Sequence, residues 1–161
     1  MGTIITETTK KTTEVEGCFL QPLNIIETPN GCVLHMLRHE YGLMPDLSAG
    51  FGELYFSEIL AQKIKAWKRH KKQQQLFAVP WGLIKIVLFD AREKSSSYGI
   101  VMELLLGRPK HYNLLSIPPG IWYGFKAVDQ SSLLCNFANL PHDPKECERL
   151  PFDSEQIPYK W

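Results

Sequence analysis

The stretch IKAWKRHKKQQQLFAVPWG, residues 64–82, decides how this chain is read. From Lys63 to Lys72 it packs six Lys or Arg, one His and one Trp into ten residues. Helix formers dominate its first half, and Leu60, Ile64 and Trp67 fall at i, i+4 and i+7, so propensity alone favours a basic helix. Its second half turns into apolar β-type sequence. The strand-like runs that flank it closely predict β structure for the whole stretch instead. In a strand Lys68 and His70, two residues apart, share one face, which sets a pocket wall beside a basic arm as the two readings of the cluster.

Outward from this stretch, short β-type runs recur about every ten residues: 18–26, 32–38, 52–60, 63–67, 74–81, 83–90, 98–106, 111–117, 123–128 and 132–140. Turn chemistry separates them at Pro29-Asn30-Gly31, Gly82, Ser95 to Ser97, Gly107-Arg108-Pro109 and Pro118-Pro119-Gly120. Many short strands at this spacing predict an all-β sandwich or barrel. Pro22 and Pro80, inside runs, mark edges or bulges. Residues 143–150 read as a single helical turn, and the aromatic segment 151–161 as a tail packed on the barrel. The Thr-rich opening predicts a disordered tail over 1–16, followed by a single domain over 17–161.

The 161 residues carry 18 basic and 17 acidic side chains, a net charge of +1. That balance argues against a dedicated nucleic-acid binder, as does the lack of aromatics other than Trp67 between Phe56 and Phe77. Cys18, Cys32, Cys135 and Cys147 form no C-x-x-C pair and no zinc-finger spacing, so reduced thiols in a cytoplasm are expected. No apolar run is long enough to span a bilayer, and no membrane partner is expected, although Gly2 and Thr6 fit a loose myristoylation pattern.

The spacing resembles that of cupins, double-stranded β-helix or jelly-roll barrels whose signatures are G-x5-H-x-H-x4-E-x6-G and G-x5-P-x-G-x2-H-x3-N. Lys68-Arg69-His70 takes the place of H-x-H, Gln75 that of Glu, and Gly82 matches the closing glycine. Pro118-Pro119-Gly120 matches P-x-G, and Tyr123 stands at the final His. Lys68, Gln75 and Tyr123 are poor ligands for a divalent ion, so no metal or other cofactor is expected. Within cupins the chain is similar to the dTDP-4-dehydrorhamnose 3,5-epimerase family, through TPNGCVLHMLR, GELYFSEI, IKAWKRH, IKIVLFDAREKSSSYG, LLSIPPGIWYGF and LPFDSEQIPYKW over residues 18–161.

The resemblance implies a metal-independent isomerase of a nucleoside-diphosphate 4-keto-6-deoxy sugar, in polysaccharide or deoxysugar synthesis, working as a homodimer. Carried over position by position, the family's diphosphate-binding Arg becomes Lys65 and its catalytic His becomes Lys68. The pocket Lys becomes Gln75, the acid Tyr becomes Cys135, and the Arg of the early turn becomes Asn30. The carboxylate partner of the family's His would lie beyond Trp161. Lys68, His70 and Tyr123 are then the candidate catalytic set, with Lys68 holding an enolate or acting as base, His70 the alternative base and Tyr123 returning a proton. Lys65, Lys72, Gln75, Trp122, Cys135 and Asn30 are the candidate substrate contacts. The bland alternatives are Lys68 as a solvated charge, His70 as a hydrogen-bonded barrel histidine, Tyr123 and Trp122 as packing aromatics, and Cys135 as filler beside Leu133 and Phe137. They leave open a cupin that binds a sugar nucleotide or glycan without catalysis.

Overall fold

A computed structural model describes residues 10–39 and 52–161. Thirteen strands follow in chain order: β1 Lys11–Thr12, β2 Phe19–Pro22, β3 Ile25–Thr28, β4 Gly31–Leu34, β5 Glu53–Ile59, β6 Ile64–His70 and β7 Gln75–Trp81. Then come β8 Leu83–Asp90, β9 Val101–Gly107, β10 Asn113–Ile117, β11 Ile121–Ala127, β12 Ser132–Ala138 and β13 Cys147–Arg149. They build a six-stranded sheet ordered β1-β2-β10-β7-β12-β5, a five-stranded sheet ordered β13-β6-β11-β8-β9 and a separate β3–β4 hairpin. The turn spacing predicts the all-β class and the cupin resemblance implies the jelly roll; both agree with this architecture.

Three apolar layers follow from the period of two in the strands. Between the sheets, Phe77 and Val79 of β7 meet Ile86 and Leu88 of β8 and Tyr123 and Phe125 of β11. Outside the six-stranded sheet, Leu76, Ala78, Leu114 and Phe137 are covered by Ile25 and Leu34 of the hairpin. Outside the five-stranded sheet, Trp67, Val87, Phe89 and Trp122 are covered by Ile157, Tyr159 and Trp161 of the C-terminal segment. Two sheets buried on both faces explain why β7, β11 and β12 read as nearly continuous apolar runs.

Strand pairing settles residues 60–75. β6 lies between β11 and β13, with Trp122 opposite Arg69 and Tyr123 opposite Lys68 on one side and Arg149 opposite Lys68 on the other. Trp67, 1% exposed, fills the outer layer and donates its indole N–H to the Phe152 carbonyl. Burial of that ring and two edges of backbone pairing outweigh local helix propensity, which amounts to a few tenths of a kcal/mol per residue. Pro80 coincides with an irregularity, because the β12 register shifts between Leu133 and Cys135 where it passes β7. The Asp90 carboxylate accepts from Arg92 and from the Ser95 and Ser97 hydroxyls, which fixes the turn after β8.

Two expectations are corrected. Residues 10–16 are not part of a tail: β1 pairs with β2, and Val15 is 0% exposed in the inter-sheet core. The more N-terminal part of that tail, with Gly2 and Thr6, lies outside the described residues. Residues 143–150 form a turn running into the short strand β13 rather than a helical turn, since Cys147, Glu148 and Arg149 find backbone partners on β6.

Candidate active site

A cavity of about 460 Å³ opens between the two sheets. From the five-stranded sheet it is lined by Lys65 and Lys68 of β6, Tyr123 and Phe125 of β11 and Arg149 of β13; Tyr55 and Ser57 of β5 face them from the six-stranded sheet. Alternation on β5 puts Tyr55 and Ser57 inward while Leu54 and Phe56 stay exposed. No carboxylate belongs to the lining among the described residues, so three cations face the cavity unopposed. Lys65 Nζ donates to Ser57 Oγ at 2.9 Å, whereas the Lys68 ammonium has no hydrogen bond or ion pair among the described residues. Such a wall favours an anionic ligand.

Behind Tyr123 runs a chain of polar groups. His70 Nδ1 lies 2.6 Å from Glu146 Oε2, and His70 Nε2 lies 3.1 Å from the Tyr123 hydroxyl. Burial pushes the Glu146 carboxyl up, but the Lys72 N–H, His70 and the Gln73 N–H donate to it and together hold it below the usual carboxylate range. Burial lowers the basicity of His70; the Glu146 hydrogen bond opposes that effect without cancelling it, and the Lys68 charge adds to it. An ionised Glu146 therefore accepts from His70 Nδ1–H, the neutral imidazole presents its Nε2 lone pair, and the Tyr123 O–H donates to it. Burial also raises Tyr123 well above the ordinary phenol range, with the neighbouring Tyr55 adding to the effect.

The candidates named from sequence separate into three groups. Lys65, Lys68 and Tyr123 line the cavity, and His70 reaches it through Tyr123. Gln75 is fully buried beneath it, in a chain of amides with Gln73 and Asn136. The remaining four, expected as substrate contacts, lie outside this cavity's lining. Trp122 lies in the outer layer of the five-stranded sheet, with the Arg69 guanidinium 4.6 Å over its ring, because its neighbour Tyr123 takes the inward face. Cys135 is opposite Ala78 on the outer face of β12, between the inward Leu134 and Asn136, and burial raises its thiol to about 11. Lys72 is exposed beyond the end of β6 and contributes its backbone N–H to Glu146. Asn30 sits exposed in the β3–β4 turn, away from the cavity lining.

Sequence reasoning missed Tyr55, Ser57, Glu146 and Arg149. Period-two alternation in ELYFSEI was the available signal for Tyr55 and Ser57. Glu146 and Arg149 carried none, because they reach the site by pairing between strands 76 or more residues apart. The carboxylate beside His70 is that of Glu146. Among the described residues no three His, Cys, Asp or Glu side chains are grouped to hold a metal ion.

No family profile matches the chain. It is 36% identical over 127 residues to the probable low-salt glycan biosynthesis epimerase Agl13 of Haloferax volcanii, covering 76% of each protein. It is 31% identical over 150 residues to the spore coat polysaccharide biosynthesis protein SpsL of Bacillus subtilis, covering 91% of this chain and 96% of SpsL. Among solved structures, the dTDP sugar isomerase of Desulfovibrio desulfuricans superposes with a TM-score of 0.87 at 48% identity over 94% of each chain. A dTDP-4-dehydrorhamnose 3,5-epimerase of Bacillus anthracis shares the fold, with a TM-score of 0.78 at 16% identity over 100% of this chain and 90% of that one. The fold is that of a cupin-like jelly roll. The chain belongs to the dTDP-4-dehydrorhamnose 3,5-epimerase-like family, and it is a sugar epimerase-type enzyme of glycan biosynthesis.

Proposed function

We propose that the enzyme epimerises a nucleoside-diphosphate 4-keto-6-deoxy sugar at a carbon beside the ketone, and that the cavity of Lys65, Lys68, Tyr123 and Arg149 is its active site. One observation carries the reading: an anion-binding wall and a proton-transfer chain, Tyr123–His70–Glu146, meet in the same cavity. Lys65 and Arg149 neutralise the diphosphate. A proton next to a carbonyl becomes removable when the enolate oxygen is stabilised, and Lys68, opposite Tyr123 in the strand register, supplies that positive charge. Tyr123 is the acid–base group at the reacting carbon, with His70 and Glu146 behind it. The names of the relatives support a sugar of glycan synthesis, and the dTDP sugar isomerase at 48% identity supports a nucleotide-linked one with thymidine as the nucleoside.

The decisive experiment incubates the protein in D2O with dTDP-, UDP- and GDP-linked 4-keto-6-deoxy sugars. Deuterium is expected at C3 or C5 of at least one of them. Tight binding without any exchange would turn the reading toward a sugar-nucleotide binder, and neither binding nor exchange would end it.

We further propose a cytoplasmic homodimer. The four free cysteines among the described residues suit a reducing compartment. β5 ends the six-stranded sheet and leaves Phe56, 60% exposed, beside Leu54 as an apolar edge for a second copy. A monomeric mass by light scattering at micromolar concentration would refute the dimer.

A further inference from the structure

We propose that Tyr55 is a second catalytic residue: it delivers a proton from the six-stranded-sheet wall to the face of the substrate carbon opposite Tyr123. The proposal rests on the epimerase reading above and assigns the acid that this reading leaves open. Inverting a carbon requires a proton to leave one face and another to arrive at the other. Cys135, the residue that sequence comparison sets at the acid position, faces away from the cavity. Tyr55 and Tyr123 do face it, and they stand on opposing sheets.

Their hydrogen bonding gives the two phenols opposite roles. The Tyr123 proton is directed at His70 Nε2, which leaves an oxygen lone pair toward the cavity to receive a proton. Tyr55 is wired the other way, and the reason can be traced atom by atom. The Leu140 carbonyl can only accept, so Gln73 Nε2 donates to it at 2.5 Å. Gln73 Oε1 then accepts from Gln75 Nε2 at 2.8 Å, and Gln75 Oε1 accepts from Asn136 Nδ2 at 2.5 Å. The same Nδ2 donates its second hydrogen to the Tyr55 oxygen at 2.8 Å. Three buried amides thus fix Tyr55 as an acceptor on its inner side, and its own O–H has no acceptor among the described residues. The orientation holds although it leaves Asn136 Oδ1 without a partner there. A phenol held by a donor, with its proton uncommitted and facing the cavity, is a proton donor in waiting, and Asn136 then stabilises the phenolate it becomes.

The proton and electron count closes. The C–H bond beside the ketone breaks, its proton bonds to the Tyr123 oxygen, and the original Tyr123 proton passes to His70 Nε2. The C–H electron pair becomes the enolate double bond, and charge gathers on the oxygen beside Lys68. The Tyr55 O–H bond then breaks and its proton bonds to the opposite face of the carbon, restoring the ketone. One proton has moved from Tyr55 to His70, leaving phenolate and imidazolium. Water entering the emptied cavity removes a proton through Tyr123 and returns one to Tyr55.

The test uses the sugar nucleotide on which the wild-type protein shows exchange. Tyr55→Phe is expected to slow inversion by ~10²-fold or more, while deuterium still enters the recovered substrate with its configuration retained, because Tyr123 exchanges on its own face. Tyr123→Phe is expected to lose both. As a second probe, 3-fluorotyrosine placed at position 55 keeps the shape and is expected to move the alkaline limb of the inversion rate to lower pH without moving that of exchange. Inversion by Tyr55→Phe within a few-fold of wild type would overturn the proposal, as would equal loss of exchange and inversion with no shift from the fluorotyrosine. Failure of the wild type to exchange with any sugar nucleotide removes the epimerase reading and this proposal together, whereas intact exchange with an indifferent Tyr55 removes only this proposal.

Discussion

At residue scale the site depends on one imidazole staying neutral. Only an unprotonated His70 Nε2 can take the Tyr123 proton, and burial holds His70 below its ordinary value of 6.5. The acid limb of kcat/KM is therefore expected below pH 6.5, with the rate falling as pH drops through it. Glu146 raises the His70 value, so Glu146→Gln is expected to move that limb lower still and to reduce the plateau by ~10²-fold or more by releasing the tautomer. A limb that stays put in Glu146→Gln would remove Glu146 from the relay. Lys68 and His70 were legible as a pair because the spacing of two in a strand gives one face, and Tyr123 joined them only through the resemblance to the second cupin signature. Tyr55 was not legible: alternation in ELYFSEI sets it on one face with Ser57, but only the packing of the two sheets turns that face to the cavity. The fate of Cys135 shows why identity of alignment is a weak guide: a single-residue change of face separates it from Asn136, and the register irregularity beside Pro80 lies at that point.

At the scale of elements, the β7–β8 connection carries the chain from the six-stranded sheet to the five-stranded one. Gly82 turns there with φ of 79°, and a Cβ at this position would run into Ser132 of β12, whose hydroxyl accepts from the Leu83 N–H. Gly82→Ala is expected to cost ~1–3 kcal/mol through backbone conformation and overpacking, read as a lower midpoint in urea unfolding. A cost within a few tenths of a kcal/mol would mean the turn relaxes. The same glycine closes the sequence pattern of the first cupin signature, so its importance was visible before its geometry. β6 is the contrasting element. Its composition speaks for a helix, and its conformation is set by β11 and β13, which flank it.

For the whole molecule, acid stability integrates several buried groups. Burial pushes the Asp90 carboxyl up, but hydrogen bonds from Arg92, Ser95 and Ser97 outweigh it and hold it well below its ordinary 3.8. Glu146 is likewise held below 4.5. A depressed carboxyl adds stability above its unfolded-state value, and that stability is lost as pH falls through the folded-state value. His70 acts earlier: below pH 6.5 the unfolded chain binds a proton that the folded one resists, which favours unfolding. The melting temperature is thus expected to decline from about pH 6.5 and more steeply below 4.5, and Asp90→Asn is expected to start lower and to flatten the steep part. A melting temperature level from pH 7 to 4 would contradict this assignment.

The sequence by itself determined the all-β class and the shared face of Lys68 and His70, because turn residues and alternation are local properties, and its signature spacing carried the resemblance to the jelly-roll family. Only the tertiary structure decided which side chains complete the cavity. Glu146, Arg149 and Tyr55 arrive from strands distant in the chain, and their meeting depends on register and on the packing of two sheets, which no local pattern encodes.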